Sequence, residues 1–148
     1  LGIQSKDNLL TIVKIKLSEK YPNIYNPKPG GYEGTVNGVE KEWERYQQAA
    51  AISPRAAALS ASYGLFQIMG FNYFAMAGFA SVEDMVNSFE ESERNQLLGF
   101  CKFVKANPTM LRALRDGNWA KFAELYNGKD YAKNKYDLKL ASAEKSFA

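Results

Sequence analysis

Apolar positions recur along most of this chain at spacings of three and four, the repeat of a helix with one face turned inward. Val39, Trp43, Tyr46 and Ala50 predict a helix over 39–51. Ser53-Pro54 supplies an N-cap followed by proline at the first helical position, so an alanine-rich helix is expected over 54–62. Ser81 with Asp84 three residues later forms a capping-box pattern. From there Val82, Met85/Val86, Phe89, Glu93, Leu97, Phe100/Cys101 and Val104 make one stripe, which predicts a single helix to residue 106. Asn107-Pro108 opens a short helix through Leu111, Leu114 and Arg115, and Asp116-Gly117 ends it. Asn118 caps the next, with Trp119, Phe122, Ala123 and Tyr126 inward and Asn127-Gly128 as its close. A last helix is expected over 131–147, with Tyr136, Leu140 and Ala143 as its face.

Two stretches break this rhythm. In Leu10–Leu17, Lys14 and Lys16 alternate with Val13, Ile15 and Leu17, a period of two that predicts a strand. Leu9, Ile12, Val13 and Lys16 also share a helical face, so a short helix is the alternative. Residues 22–38 contain Pro22, Pro27, Pro29, Gly30-Gly31, Gly34 and Asn37-Gly38, which predicts a long Pro/Gly-rich loop with a small hairpin at Asn37-Gly38. A connection of that length is usually functional. The expectation is a mainly α chain, with α+β as the alternative, forming one domain over 1–148.

Composition narrows the chemistry. Cys101 is the single cysteine, so no intrachain disulfide can form. There is no histidine, which removes Ser-His-Asp and Cys-His catalysis and HExxH zinc sites. The net charge is +3, carried by 14 Lys and only 5 Arg. Arginine forks favour planar phosphate recognition, so no nucleic-acid partner is expected. No run reaches 18 apolar residues, so no stable membrane insertion is expected. Leu9–Leu17 is interrupted by lysines and lacks a small-residue cleavage pattern; it does not read as a signal peptide, and synthesis in the cytoplasm is the expectation.

Catalysis would therefore fall to carboxylates, lysine, tyrosine, hydroxyls or backbone. Glu93 stands where the helical stripe calls for a hydrophobe. A carboxylate in apolar surroundings holds its proton more tightly or finds a partner, which makes Glu93 a candidate general acid. The ordinary alternative is a structural glutamate bonded to Tyr126 or to a backbone amide. Glu33, beside Tyr32 in the Pro/Gly-rich loop, is the second candidate, and Lys28 in the same loop could contact an anionic ligand. Glu90 and Glu91 read as solvated, Asp84 as a cap, Glu40, Glu42 and Glu44 as a charged face, and Cys101 as a small core residue. Gln67 lies between large hydrophobes and is either satisfied inside the core or exposed at a groove floor. Tyr126 and Asn127 put a phenol and an amide at a helix end. Polar side chains next to aromatics suit a sugar, whose faces stack and whose hydroxyls need partners.

Three separated motifs carry a resemblance. Ser60-Ala61-Ser62-Tyr63-Gly64-Leu65-Phe66-Gln67-Ile68-Met69-Gly70-Phe71-Asn72 resembles the central motif of the phage and bacterial N-acetylmuramidases, a lysozyme-like family found in many endolysins. Tyr126-Asn127-Gly128, Tyr131-Ala132 and Tyr136-Asp137 resemble its C-terminal half, and Asn26-Pro27-Lys28-Pro29-Gly30-Gly31-Tyr32 resembles its loop before the middle helices. The match covers roughly 20–143. More distantly, Gly-Leu-Phe-Gln and Tyr-Asn are similar to signatures of goose-type lysozymes and soluble lytic transglycosylases.

The resemblance implies a lysozyme-like, mostly helical fold and a hydrolase of peptidoglycan glycan strands. The bond cut would be the β-1,4 bond between N-acetylmuramic acid and N-acetylglucosamine, at the bacterial cell wall or periplasm. It implies that Gln67, Ile68 and Met69 line the glycan cleft and that Tyr126 and Asn127 flank the reaction centre. It implies no cofactor and no metal.

The chain departs from the family pattern in one respect that matters. Family members carry the catalytic glutamate in a Glu-Ser-Gly-like segment ahead of the Pro-Gly-Gly-Tyr loop. Residues 1–20 hold only Asp7 and Glu19, and neither has that context. The N-terminal catalytic segment is thus missing or divergent. The acid is then expected from a separate N-terminal segment or chain, from residues outside this numbering, or from Glu33 or Glu93; otherwise the chain is an inactive relative, a noncatalytic glycan-binding or structural module. Leu1 as the first residue favours the first two. No aspartate follows the glutamine motif, where Met69-Gly70-Phe71 stands, so a pair of carboxylates is not in evidence. Hydrolysis and lytic transglycosylation both remain open to the residues; the resemblance favours hydrolysis.

Overall fold

A computed structural model describes residues 16–25, 39–76 and 78–147. The chain divides into two compact units, 1–61 and 62–148. In the first, a helical turn α1 covers 16–20, followed by α2 (Val39–Ile52) and α3 (Pro54–Ser60). Lys16 and Leu17 are helical, so the strand expected over 10–17 does not extend to its last two residues; the rest of that segment lies outside the described residues. The hydroxyl of Ser53 caps α3 by accepting from the Ala56 N–H, and Pro54 occupies its first turn, as the sequence predicts. Ala57 and Ala58 are buried. A mainly apolar cavity of about 160 Å³ is lined by Leu17, Tyr21, Tyr25, Ile52 and Ser60, among others. Of the loop expected over 22–38, residues 22–24 form a turn after α1, and the remainder from 26 on, with the Asn37-Gly38 hairpin, lies outside the described residues.

The second unit begins with a two-stranded antiparallel hairpin, β1 (Ser62–Tyr63) and β2 (Ile68–Met69), in which Ser62 pairs with Met69 and Tyr63 with Ile68. A 3₁₀ turn, Gly70–Ala75, continues from β2. Five helices follow: α4 (Val82–Glu91), α5 (Glu93–Ala106), α6 (Pro108–Arg115), α7 (Trp119–Asn127) and α8 (Tyr136–Phe147), with a second 3₁₀ turn at Lys129–Asn134. The caps read from the sequence are in place. Ser81 accepts from Asp84 N–H while the Asp84 carboxylate accepts from Ala80 N–H. Asn107 caps α6 and Asn118 caps α7 through their side-chain oxygens.

The single helix expected over 82–106 is two. Ser92 adopts an extended backbone (φ −169°, ψ 154°) and caps α5 by accepting from Asn95 N–H. This interruption resets the helical stripe. Val82, Met85 and Phe89 are buried in α4 as predicted, but α5 buries Gly99 and Val104, whereas Leu97 and Leu98 are 49% and 44% exposed. Cys101, expected in the core, is exposed for the same reason. The two helices meet where Gly99 faces Phe89: a Cβ on Gly99 would lie 2.4 Å from Phe89 Cε1. The last helix starts five residues later than expected, because Lys129–Asn134 forms a 3₁₀ turn ended by left-handed Lys135 (φ 53°). On α8, Tyr136 and Ala143 are exposed, and Leu140 packs partly buried on the core of Val104, Met110, Ala113 and Phe122.

Candidate functional site

The hairpin turn Gly64–Gln67 is built from two left-handed residues. Gly64 (φ +71°) opens it, and Gln67 (φ +50°) closes it. A non-glycine residue in this region costs about 1 kcal/mol or more, and Gln67 offsets that with its own side chain. Its Nε2 donates to the Gly64 carbonyl at 3.0 Å, and its Oε1 accepts from the Ser62 hydroxyl at 2.9 Å. Its backbone N–H also donates to Gly64 O, at 3.1 Å. Of the two placements open to Gln67, the structure selects exposure. One amide N–H and part of the carbonyl oxygen's accepting capacity remain for a ligand.

The other segment is the C-terminal end of α7. Tyr126 is half-buried among aromatic rings: it stacks on Phe122 at 5.7 Å and meets Phe100 and Phe103 edge-on at 5.8 and 5.7 Å. Phe66, in the hairpin turn, stacks on Phe100 at 4.4 Å. The Tyr126 hydroxyl donates to the Phe66 carbonyl at 2.6 Å. Burial pushes the phenol up to about 12, so it stays a neutral donor across the physiological range. Asn127, the last residue of α7, is exposed, and Gly128 (φ +85°) ends the helix.

The hairpin turn and the α7 end therefore meet, joined by the Tyr126–Phe66 hydrogen bond and by Phe100, which stacks on Phe66 and meets Tyr126 edge-on. Of the sequence-predicted site residues, Gln67 and Asn127 are exposed, Met69 is half-buried, and Ile68 is buried at 3% exposure. Ile68 can offer a ligand little beyond its backbone.

The carboxylates fare differently. Glu93 is exposed at the first position of α5, because the break at Ser92 moves it off the buried stripe. Neither its apolar setting nor its expected bond to Tyr126 is present: the Tyr126 hydroxyl goes to Phe66. Glu33 and Lys28 lie outside the described residues. Glu90 and Glu91 are exposed, as expected.

Sequence reading missed Gln96. Its Oε1 accepts from Leu65 N–H and its Nε2 donates to the Phe89 carbonyl, both at 2.9 Å. It thereby links the hairpin turn to the last turn of α4. No signal in the sequence singles it out, since a polar residue near a helix start normally reads as solvated.

The model of the family described as N-acetylmuramidase matches residues 5–148. A search of curated proteins finds no match. Among solved structures, the chain is similar to the Burkholderia AP3 phage endolysin, with 44% sequence identity and a TM-score of 0.76 over 95% of this chain. The match covers 53% of that protein, so the chain spans about half its length.

Proposed function

The chain belongs to the N-acetylmuramidase family, and from that premise we propose that it is a lysozyme-type glycoside hydrolase of peptidoglycan. The bond it cuts in this reading is the β-1,4 linkage between N-acetylmuramic acid and N-acetylglucosamine, and its place of action is the bacterial cell wall. The observation that carries the proposal is the 2.6 Å bond from Tyr126 to Phe66, which unites two of the three segments on which the family resemblance rests.

In this reading the exposed amides of Gln67 and Asn127 pair with sugar hydroxyl and N-acetyl groups, which need both donors and acceptors. Met69 and the Ile68 backbone extend that contact along β2. Tyr126 serves as the rigid post that sets the hairpin against α7. The neutral phenol keeps an uncharged donor there at the pH of the cell wall. Of the two carboxylates in this chain considered for the general acid that protonates the glycosidic oxygen, Glu93 lacks the apolar environment such an acid requires, and Glu33 stays a candidate on its place in the sequence alone.

The test is digestion of purified peptidoglycan with product analysis by mass spectrometry. Soluble fragments ending in reducing N-acetylmuramic acid are expected. Fragments with 1,6-anhydro ends would make the chain a lytic transglycosylase. Binding to walls without release of fragments would make it a noncatalytic module.

A further inference from the structure

The Gly64–Gln67 turn faces solvent, yet it is clamped from two distant points. Leu65 is 66% exposed, and water could satisfy its N–H at no cost in burial. Instead that N–H is taken by a side chain 31 residues away, the Gln96 carboxamide oxygen at 2.9 Å. On the next residue, the Phe66 carbonyl is taken by Tyr126. The other end of the Gln96 amide donates to the Phe89 carbonyl at 2.9 Å, one of the carbonyls that α4 leaves unpaired at its end. A single carboxamide thus acts as acceptor for the turn and donor for the helix. Ionised glutamate could do only the first, and leucine neither. The approach is close: a Cβ on Gly64 would lie 2.8 Å from Gln96 Oε1.

We propose that Gln96 is a positioning residue for glycan recognition. Acting through the Leu65 N–H, it fixes the turn that presents the Gln67 amide. The inference rests on the glycan reading given above. Its physical content is preorganisation: a ligand contact on a turn is productive only if the turn is held in the bound geometry before the ligand arrives. Gln67 already sits in a strained left-handed conformation, and a turn released at Leu65 has other conformations open to it.

The test compares Gln96→Leu, which removes both bonds, with Gln96→Glu, which retains an acceptor for Leu65 but no donor for Phe89. Three quantities are measured on the full chain: hydrogen exchange at the Leu65 amide, thermal stability, and KM and kcat on purified peptidoglycan. In Gln96→Leu, Leu65 exchange rises and KM rises by about tenfold, the equivalent of one lost hydrogen bond. In Gln96→Glu, the Leu65 amide stays protected and KM stays near that of the wild type, even though stability falls. If KM follows stability in both variants rather than Leu65 protection, Gln96 is merely structural and the proposal is overturned. An unchanged KM in a folded Gln96→Leu chain overturns it equally. A wild-type chain that neither binds nor cuts peptidoglycan overturns the glycan reading itself, and the positioning role falls with it.

Discussion

Tyr126 and Phe66 stand sixty residues apart in the chain and are joined by a 2.6 Å hydrogen bond from the phenol to the backbone carbonyl. Removing the hydroxyl with Tyr126→Phe leaves the ring stack in place and the Phe66 carbonyl without its donor. The expected loss of stability is about 1–3 kcal/mol, the range for orphaning a partly buried acceptor. Denaturant unfolding measures it, and peptidoglycan hydrolysis should fall with it because the hairpin loses an anchor on α7.

The same phenol predicts an alkaline limb in stability. Its pKa is raised by burial from 10.0 to about 12. Between those values the folded chain keeps a proton that the unfolded chain releases, so stability falls as pH rises through the window. Below about pH 10 the contribution is fully present. Unfolding free energy measured from pH 9 to 12 should therefore fall less steeply in Tyr126→Phe than in the wild type. Equal slopes would show that Tyr126 does not titrate in this way.

Much of the second unit is legible in the sequence. Caps such as Ser81, Asn107 and Asn118 act within one turn of sequence, so local chemistry fixes them. The meeting of two signature segments through Tyr126 and Phe66 was legible only as a resemblance. The break at Ser92 was not legible, because the apolar stripe runs on almost unbroken across it: Phe89 and Leu97 are eight apart with Glu93 halfway. A periodicity argument extends such a stripe, whereas the chain instead uses Ser92 as a cap and turns Glu93, Leu97 and Cys101 outward. Gln96 escaped for a different reason. Its partners, Leu65 and Phe89, offer backbone groups, and those carry no trace in side-chain pattern.

Two glycines separate backbone strain from crowding. Gly117 (φ +63°) has open space where a Cβ would stand, whereas at Gly64 (φ +71°) the Cβ would meet the Gln96 amide. Gly117→Ala should cost about 1 kcal/mol from the left-handed conformation alone. Gly64→Ala should cost about 1–3 kcal/mol more, because Gln96 must also move. Thermal unfolding of both variants gives the comparison. In a Gln96→Ala background the extra cost at Gly64 should disappear.

The α4–α5 contact is as tight as the structure allows. A methyl on Gly99 would lie 2.4 Å from Phe89 Cε1 and 2.5 Å from Cζ. Phe89 is buried and meets Phe79 edge-on at 6.1 Å, so its ring has little freedom to retreat. Gly99→Ala should destabilise by about 1–3 kcal/mol through overpacking. Adding Phe89→Leu should recover part of that loss, a non-additivity that a double-mutant cycle measures directly.

The carboxylates give the sharpest functional prediction. A general acid must reach the glycosidic oxygen and hold its proton until the bond breaks, which calls for apolar or like-charged surroundings. Glu93 is exposed at the start of α5 and has no such surroundings. Glu93→Gln should therefore leave peptidoglycan hydrolysis within about twofold of the wild type, with a stability change below about 1 kcal/mol from the altered helix start. A Glu33 that supplies the proton requires that Glu33→Gln abolish hydrolysis while leaving binding to insoluble walls intact, because the amide keeps the size and loses the proton. Loss of activity in Glu93→Gln alone would make Glu93 the acid, full activity in both variants would exclude both carboxylates, and the fragment yield from each variant decides.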